Sequence, residues 1–523
     1  MARRTRSQPT PSRDQPPTRR LIGVFDTWLD PDPNAPPARA ATLAVALWGV
    51  LVHGLFLATS LLREAPVGLF LFGDALHYLA TARAWAAGDA LGAGLPFHPP
   101  LTSALLVPLA ALFASPAALN LAAKLLMITL AALGYALTYR LIARRPALRA
   151  LALPTALLLP LIFGELALVS AVSSEIPYRL WLLILLGLGW RRPWLAGGVH
   201  GLALLTRAEH LPIALVLGAV IAWRAPAHRP QLVRTGAAAL LVLLPYLLVA
   251  GLAMRDYNAR HADRMAEPLP TLVPVSFYGP LNFALAWREP DIVFSRRTLP
   301  PLPASHLAAA AAAGQPVDAN ALDPTYPPHH AVIVDGYALG LRAIADAPGE
   351  AVGRAFARAG HAMQVFAYGV TGADLPGRGP WTRYPVDVAV ASREAGAGLV
   401  QIAWLLLIAL GAWRLARGPD AARDRMALVA IALLVVYRLA MDVVFFPYLR
   451  GMLIALPAFV LLAAAGATVV FHRRTSRVLV AAALLLGLAH AALVLPSRDY
   501  RLAGERDAGG RILDDRTVTI ERK

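Results

Sequence analysis

Long apolar runs alternate with short arginine-bearing segments along most of this chain. Runs near 41–62, 117–143, 149–170, 175–190, 233–254, 398–416, 426–446, 449–471 and 477–495 lie close to the length of about 20 residues that a helix needs to cross a hydrocarbon core. Between 195 and 224, two shorter apolar pieces are interrupted by Thr206, Arg207, Glu209 and His210, which reads as a pair of short or tilted helices. The pattern predicts an all-α polytopic membrane protein with about eleven transmembrane helices.

The arginines orient it. They gather in the N-terminal tail and at 140–149, 191–192, 224–234, 414–425 and 472–477, and cytoplasmic loops carry such an excess. The first helix then runs outward and is retained as a signal anchor, because it comes late and lacks a small-residue cleavage site. The alternation holds only if Leu101 to Phe113 does not span, so that piece is read as a helix lying at the outer interface. The map is a disordered Arg/Pro-rich cytoplasmic tail (1–40), an N-terminal transmembrane module (41–254) with an outer loop (63–116), a large extracytoplasmic loop (255–397), C-terminal transmembrane helices (398–495) and a C-terminal tail (496–523).

The large loop opens with "VSFYGPLNFALAW" and ends in "GYALGLRAIADAPGEAVGRAFARAGHAM". The second stretch is apolar at helical spacing, and Pro348 suits a helix start, so two surface helices on the outer membrane face are expected.

Composition fits: 57% of residues are hydrophobic and 15% charged, with mean hydropathy +0.55, outside the range of ordinary soluble domains. The formal charge of +17 follows from the cytoplasmic arginines and does not imply a nucleic-acid partner. With no cysteine in the chain, disulfides and thiolate-bound metals are excluded.

Ionisable groups within membrane helices are costly and mark sites by default. In this orientation Lys124, Glu165, Glu175, Arg179, Arg207, Glu209, Asp442 and Arg450 fall in outer helix halves or outer turns, and Asp74, Tyr78 and His98 lie on the same side. Together they describe an outward polar cavity beside lipid, with cations suited to an anionic head group such as a phosphate. Several of these residues also have a plainer reading, whereas Arg207 and Glu209 interrupt an apolar run where no water-facing loop requires them. Asp74 precedes the stripe Leu76, Leu79, Ala82 and Trp85 and can serve as a helix cap; His98 can be a turn residue ahead of Pro99-Pro100. Glu175 follows two serines and can cap its helix, paired with Arg179 one turn on. Arg438 and Asp442 are spaced as a structural same-helix pair, and Arg450 can snorkel.

Taken in order, "FGDALHYLATARAWAAGD", "FHPPLTSALLVPLAALF", "SSEIPYRLW", "GLALLTRAEHLP", "GYALGLRAIADAPGEAVGRAFARAG" and "YLRGMLIALPAFVLLAAAG" resemble the motifs of the C-type (GT-C) membrane glycosyltransferases. The likeness is to the branch holding protein O-mannosyltransferases and lipid A aminoarabinose transferases, and it covers about 41–470. It implies an inverting transfer of a sugar from a polyprenyl-phosphate donor to an extracytoplasmic acceptor by an enzyme of the plasma (inner) membrane. Residues 41–254 would be the catalytic module. Asp74 would be the base, His98, Arg207 and Arg450 would contact the donor phosphate, and Tyr78, Lys124, Glu175, Arg179 and Glu209 would line the substrate cavity. Two positions depart from the family: Ala75 stands where many members carry a second acid, and His98 where many carry lysine.

The chemistry suits the residues, since a carboxylate can take the acceptor proton while arginines stabilise the departing phosphate. No cofactor is required. A divalent cation could bind through Asp74 and Glu175, although no dense carboxylate cluster demands one. Two other classes share the outward cationic cavity: a transporter or flippase of lipid-linked sugars, and an envelope-assembly protein without catalysis. The transporter predicts interrupted helices in matching halves, a symmetry not found in this chain.

Overall fold

The computed structural model describes residues 39–62, 74–89, 97–145, 148–188, 192–224, 226–273, 275–289, 299–312, 322–371, 395–417, 434–446, 449–470, 500–503 and 519–522. The expected cytoplasmic tail up to residue 38 and the expected helix near 477–495 lie outside them. Nearly everything described is helical; the exception is an antiparallel ribbon, β1 (Tyr500–Ala503) with β2 (Thr519–Arg522), pairing Tyr500 with Arg522.

The helices, in order, are α1 (Arg39–Leu62), α2 (Asp74–Ala86), α3 (Leu101–Leu112), α4 (Pro116–Ala143), α5 (Arg149–Leu158), α6 (Phe163–Ser170), α7 (Glu175–Leu188), α8 (Pro193–Thr206), α9 (His210–Arg224) and α10 (Arg229–Arg260). The segment between the membrane helices follows as α11 (Tyr278–Arg288), α12 (Ala304–Ala312), α13 (Pro327–Val334), α14 (Gly336–Asp346) and α15 (Pro348–Thr371). Last come α16 (Ala395–Arg417), α17 (434–444), α18 (Leu449–Leu453) and α19 (Leu456–Val470).

Among the described residues, α1, α4 and the stretch Pro226–Arg260 are each long and apolar enough to cross a membrane, and the protein is a multi-pass membrane protein. The apolar run 149–170 is not one straight rod: its two helical parts bend by 64° and count as a fourth span only if taken together. The interrupted run 195–224 is indeed two short helices, α8 and α9, broken at Arg207–Glu209. Lipid-facing surfaces are legible in exposure. On α10, Leu240, Leu244, Leu248 and Leu252 form an exposed stripe at four-residue spacing, while Ala238, Ala250 and Ala253 are buried. In lipid such a leucine face needs no cover.

The main core joins α1, α4, α5 and α19 through Val45, Met127, Leu153, Phe459 and their neighbours. Where α16 and α19 cross, Gly411 faces the Leu462 carbonyl and Gly466 the Leu407 carbonyl, so close that neither position has room for a Cβ. Small residues allow such backbone contact between membrane helices.

A polar network is sealed into this core. Arg179 on α7 donates both guanidinium arms to Glu165 on α6, one at 2.7 Å, and reaches the Leu453 carbonyl at 3.4 Å. Tyr135 on α4 donates to Glu165 at 2.6 Å. Its single proton is thereby committed, so His53 on α1, 2.8 Å away, is the donor to Tyr135. Four helices are fastened by one neutral-in-sum cluster. The expected Glu175–Arg179 pair is not formed; Arg179 belongs to Glu165.

Two arginines one turn apart on α15 hold α11, and the second also reaches α17. Arg354 donates to the carbonyls of Trp287 and Glu289, each at 2.8 Å. Buried Arg358 donates to Ala286 and, at 3.1 Å, to Val443, with Trp287 4.8 Å from its guanidinium. Cations on the last carbonyls of a helix complement its dipole. These four carbonyls end α11 and α17, so one helix clamps the C-termini of two others.

Candidate active site

Four chain breaks and two helices meet at one place. Asp74 opens α2, and His98 sits in the turn ahead of α3. Ser173, Ser174 and Glu175 turn the chain from α6 into α7, while Arg207 and Glu209 occupy the break between α8 and α9. Arg438 and Asp442 come from α17 and Arg450 from α18. Val172, at the α6–α7 turn, has φ of 56°, a left-handed conformation that a β-branched residue adopts only when its surroundings hold it there. It is fully buried, and it aims the Ser-Ser-Glu turn at the arginines.

The charges form a chain of alternating sign. Arg450 Nη1 lies 2.5 Å from Asp74 Oδ2 and its Nε 3.6 Å from Glu175 Oε1. Arg207 pairs with Glu175 and, at 2.8 Å, with Glu209. Arg438 lies 3.0 Å from the same Glu209 oxygen and 2.5 Å from Asp442. Four carboxylates thus face three guanidiniums. Hydrogen bonds brace the chain: Arg207 donates to Ser174 Oγ at 3.1 Å, and Tyr437 to the Glu209 carbonyl at 2.6 Å. A Cβ on Gly451 would stand 2.6 Å from the Arg438 guanidinium, so glycine there makes room for it.

At the open end of the chain Asp74 is about one-fifth exposed and has His98 Nε2 3.9 Å from its other oxygen. Burial pushes the Asp74 carboxyl upward, but Arg450 and His98 outweigh it and hold the group well below the ordinary carboxylate range. Burial lowers His98 against the pull of Asp74, favouring the neutral imidazole. The ring is fixed between Tyr78 and Tyr278, whose centroids are 5.4 and 4.9 Å away. Burial raises the Tyr78 phenol, and the neighbouring carboxylates add to it, so Tyr78 stays protonated and can donate.

Asp74, Tyr78, His98, Arg207, Glu209 and Arg450 line a cavity of about 170 Å³. Arg438 lines it too, as do residues without a charge signal in the sequence: Ser276, Tyr278, Gly279, Asn282, Tyr337, Met441 and Phe445. Glu175 stands behind Arg207 and Arg450. Lys124 and Arg179 do not line the cavity; buried Lys124 donates to the Ser170 carbonyl at 2.7 Å instead. Arg438 and Asp442, a same-helix pair by spacing, also extend to Glu209 and so belong to the charge chain.

No group of three or more His, Asp or Glu converges on a metal-sized position among the described residues. Asp74 and Glu175 share Arg450 between them, an arrangement that a guanidinium fits and a cation would have to displace. What the site can do is hold an anion against arginines beside a carboxylate that remains ionised at neutral pH.

No protein-family model matches the chain, and no curated protein matches it. Among solved structures it is similar to the crystal structure of ArnT from Cupriavidus metallidurans in the apo state, at 16% identity over 82% of this chain and 78% of that one, with a TM-score of 0.33. A likeness of that size carries no argument about family or activity.

Proposed function

We propose that the protein is an integral membrane glycosyltransferase that moves a sugar from a polyprenyl-phosphate donor to an acceptor hydroxyl at the extracytoplasmic face. The observation that carries this reading is the junction of Asp74 and Arg450: an ionised carboxylate 2.5 Å from an arginine at the mouth of a cavity in a multi-pass membrane protein. The ordered sequence motifs resembling the GT-C enzymes support it.

In this reading the acceptor oxygen attacks the anomeric carbon as the bond from that carbon to the phosphate oxygen breaks, inverting the configuration. Asp74 takes the acceptor proton. The bonding pair leaves with the phosphate, whose growing charge Arg450 and Arg207 stabilise. A phosphate leaving group is weakly basic and requires no general acid. His98, favoured as the neutral ring, acts as a hydrogen-bonding and orienting group rather than as a fixed cation, and Tyr78 can donate to the phosphate or the sugar. Glu209, Glu175 and Arg438 keep Arg207 oriented.

Both arginines are engaged by carboxylates before the donor arrives. Donor phosphate therefore competes with Asp74 for Arg450, and binding it releases Asp74 from the contact that makes it a weak base. The test is transfer by purified protein in lipid, with a polyprenyl-phosphate sugar and an acceptor-containing membrane extract, followed by mass spectrometry of the products. Transfer that survives unchanged in a folded Asp74→Asn protein would sink the mechanism. Altered lipid-carrier distribution with unchanged glycans in cells would favour the transporter.

A further inference from the structure

The two walls of the cavity differ in kind. One carries the charges; the other, supplied mainly by the start of α11 and its preceding turn, is neutral. Tyr278, Gly279 and Asn282 fall on one face of α11 at helical spacing, and all three line the cavity, as does Ser276 just before the helix. Ser276 and Asn282 are each more than nine-tenths buried. Ser276 Oγ and Asn282 Oδ1 have no hydrogen-bonding partner.

Buried polar atoms without partners are few in folded proteins, and each calls for an explanation. Two on one wall of one cavity share a simple one: their partners arrive with a ligand. Around them the wall is aromatic and apolar, from Tyr278, Phe445 and Met441. A surface that mixes apolar rings with a few placed oxygens suits a small hydroxylated ring, whose C–H face is apolar and whose rim donates and accepts hydrogen bonds. Gly279 shapes this wall. A Cβ there would lie 2.6 Å from Tyr337 Oη, so the glycine lets the α14 hydroxyl close over the same pocket.

We infer that Ser276 and Asn282 bind hydroxyl groups of a sugar ring, forming a neutral recognition wall opposite the charged one. The assignment rests on the reading of the cavity as a sugar-transfer site, but it divides the labour further: the arginine wall takes phosphate, and the α11 wall distinguishes one sugar from another. Asn282 Oδ1 accepts from a ring hydroxyl, and Ser276 Oγ can accept or donate.

The experiment compares the full-length wild type with Asn282→Leu and Ser276→Ala in nanodiscs. Three probes are used: undecaprenyl phosphate, an undecaprenyl-phosphate hexose, and a panel of methyl hexosides and methyl pentosides read by saturation-transfer NMR. Each substitution should weaken the best-bound methyl glycoside and the sugar-bearing lipid by roughly 3- to 10-fold, the loss of one neutral hydrogen bond. Binding of bare undecaprenyl phosphate should be unchanged, which also shows that the variants are folded. If wild type binds methyl glycosides in an Asn282-dependent way but does not bind undecaprenyl phosphate, the donor proposed above is wrong and the sugar wall stands. Equal losses for bare and sugar-bearing lipid, no loss for either, or a wild type that binds no glycoside would overturn the inference.

Discussion

At Asp74 two requirements pull in opposite directions. A base should have a pKa near the working pH, yet Arg450 and His98 hold this carboxyl well below the ordinary 3.8. In the proposed mechanism, exchange of Arg450 from carboxylate to donor phosphate reconciles them and gives a signed expectation for the pH profile. The acid limb of kcat/KM, which reports the free enzyme, should fall below 3.8, and the acid limb of kcat, which reports the donor complex, should lie higher. Coincident limbs in a rate–pH series would show that Arg450 stays on Asp74. Asp74→Asn should lower kcat by roughly 10²- to 10⁴-fold with little change in donor affinity. Arg450→Met should weaken both binding and turnover, and it leaves Asp74 to titrate nearer its ordinary value, moving the kcat/KM limb upward. That Asp74, Arg207, Glu209 and Arg450 share one cavity was legible from the sequence, because a charge in an apolar run is conspicuous. The pairings were not. Arg179 lies one turn from Glu175 and still binds Glu165, since the bend between α5 and α6 brings Glu165 to it and Arg207 arrives from a separate break. Ser276 and Asn282 gave no such signal, being uncharged polar residues within the mostly apolar stretch "VSFYGPLNFALAW".

Among the elements, α11 carries the neutral wall and owes its position to α15. Arg358→Met removes the donor to the carbonyls of Ala286 and Val443, leaving acceptors buried at the ends of two helices. Hydrogen exchange across 278–288 should rise markedly in that variant, with α4 and α19 unaffected; uniform exchange throughout would mean the clamp is global. A second fastening can be tested by pH. Asp323 accepts from His306 at 2.9 Å and from the backbone and hydroxyl of Thr325, each at 2.8 Å. Burial raises its carboxyl, but these bonds prevail and hold it below the ordinary 3.8. A depressed folded value contributes stability above the unfolded pKa that is lost as pH falls through the folded one. Limited proteolysis near 299–335 should therefore be slow at pH 5 and accelerate below 3.8, whereas Asp323→Asn should be cut readily at both. At this scale the sequence was informative where a helix has a start signal. Pro348 opens α15, and the two amphipathic stretches are α14 and α15. It was silent on the 64° bend inside the run 149–170, because apolar composition measures length in lipid and not direction.

For the whole molecule, the arrangement of arginines predicts which side of the membrane each loop occupies, and the absence of cysteine makes that directly measurable. Single cysteines at exposed Ser305 and exposed Arg229 should behave oppositely toward a membrane-impermeant maleimide. Ser305→Cys should label in intact cells, and Arg229→Cys only after permeabilisation; the reverse pattern would invert the topology and put the cavity inside. The alternating charge chain has a consequence on a longer timescale. Glu175, Glu209 and Arg207 each face two groups of opposite sign, so changing any one takes a counter-charge from two others in a place with little water. Descendants of this protein could drift freely in the lipid-facing leucines and could retune the α11 wall one residue at a time. The seven charges would have to be inherited, or abandoned, together.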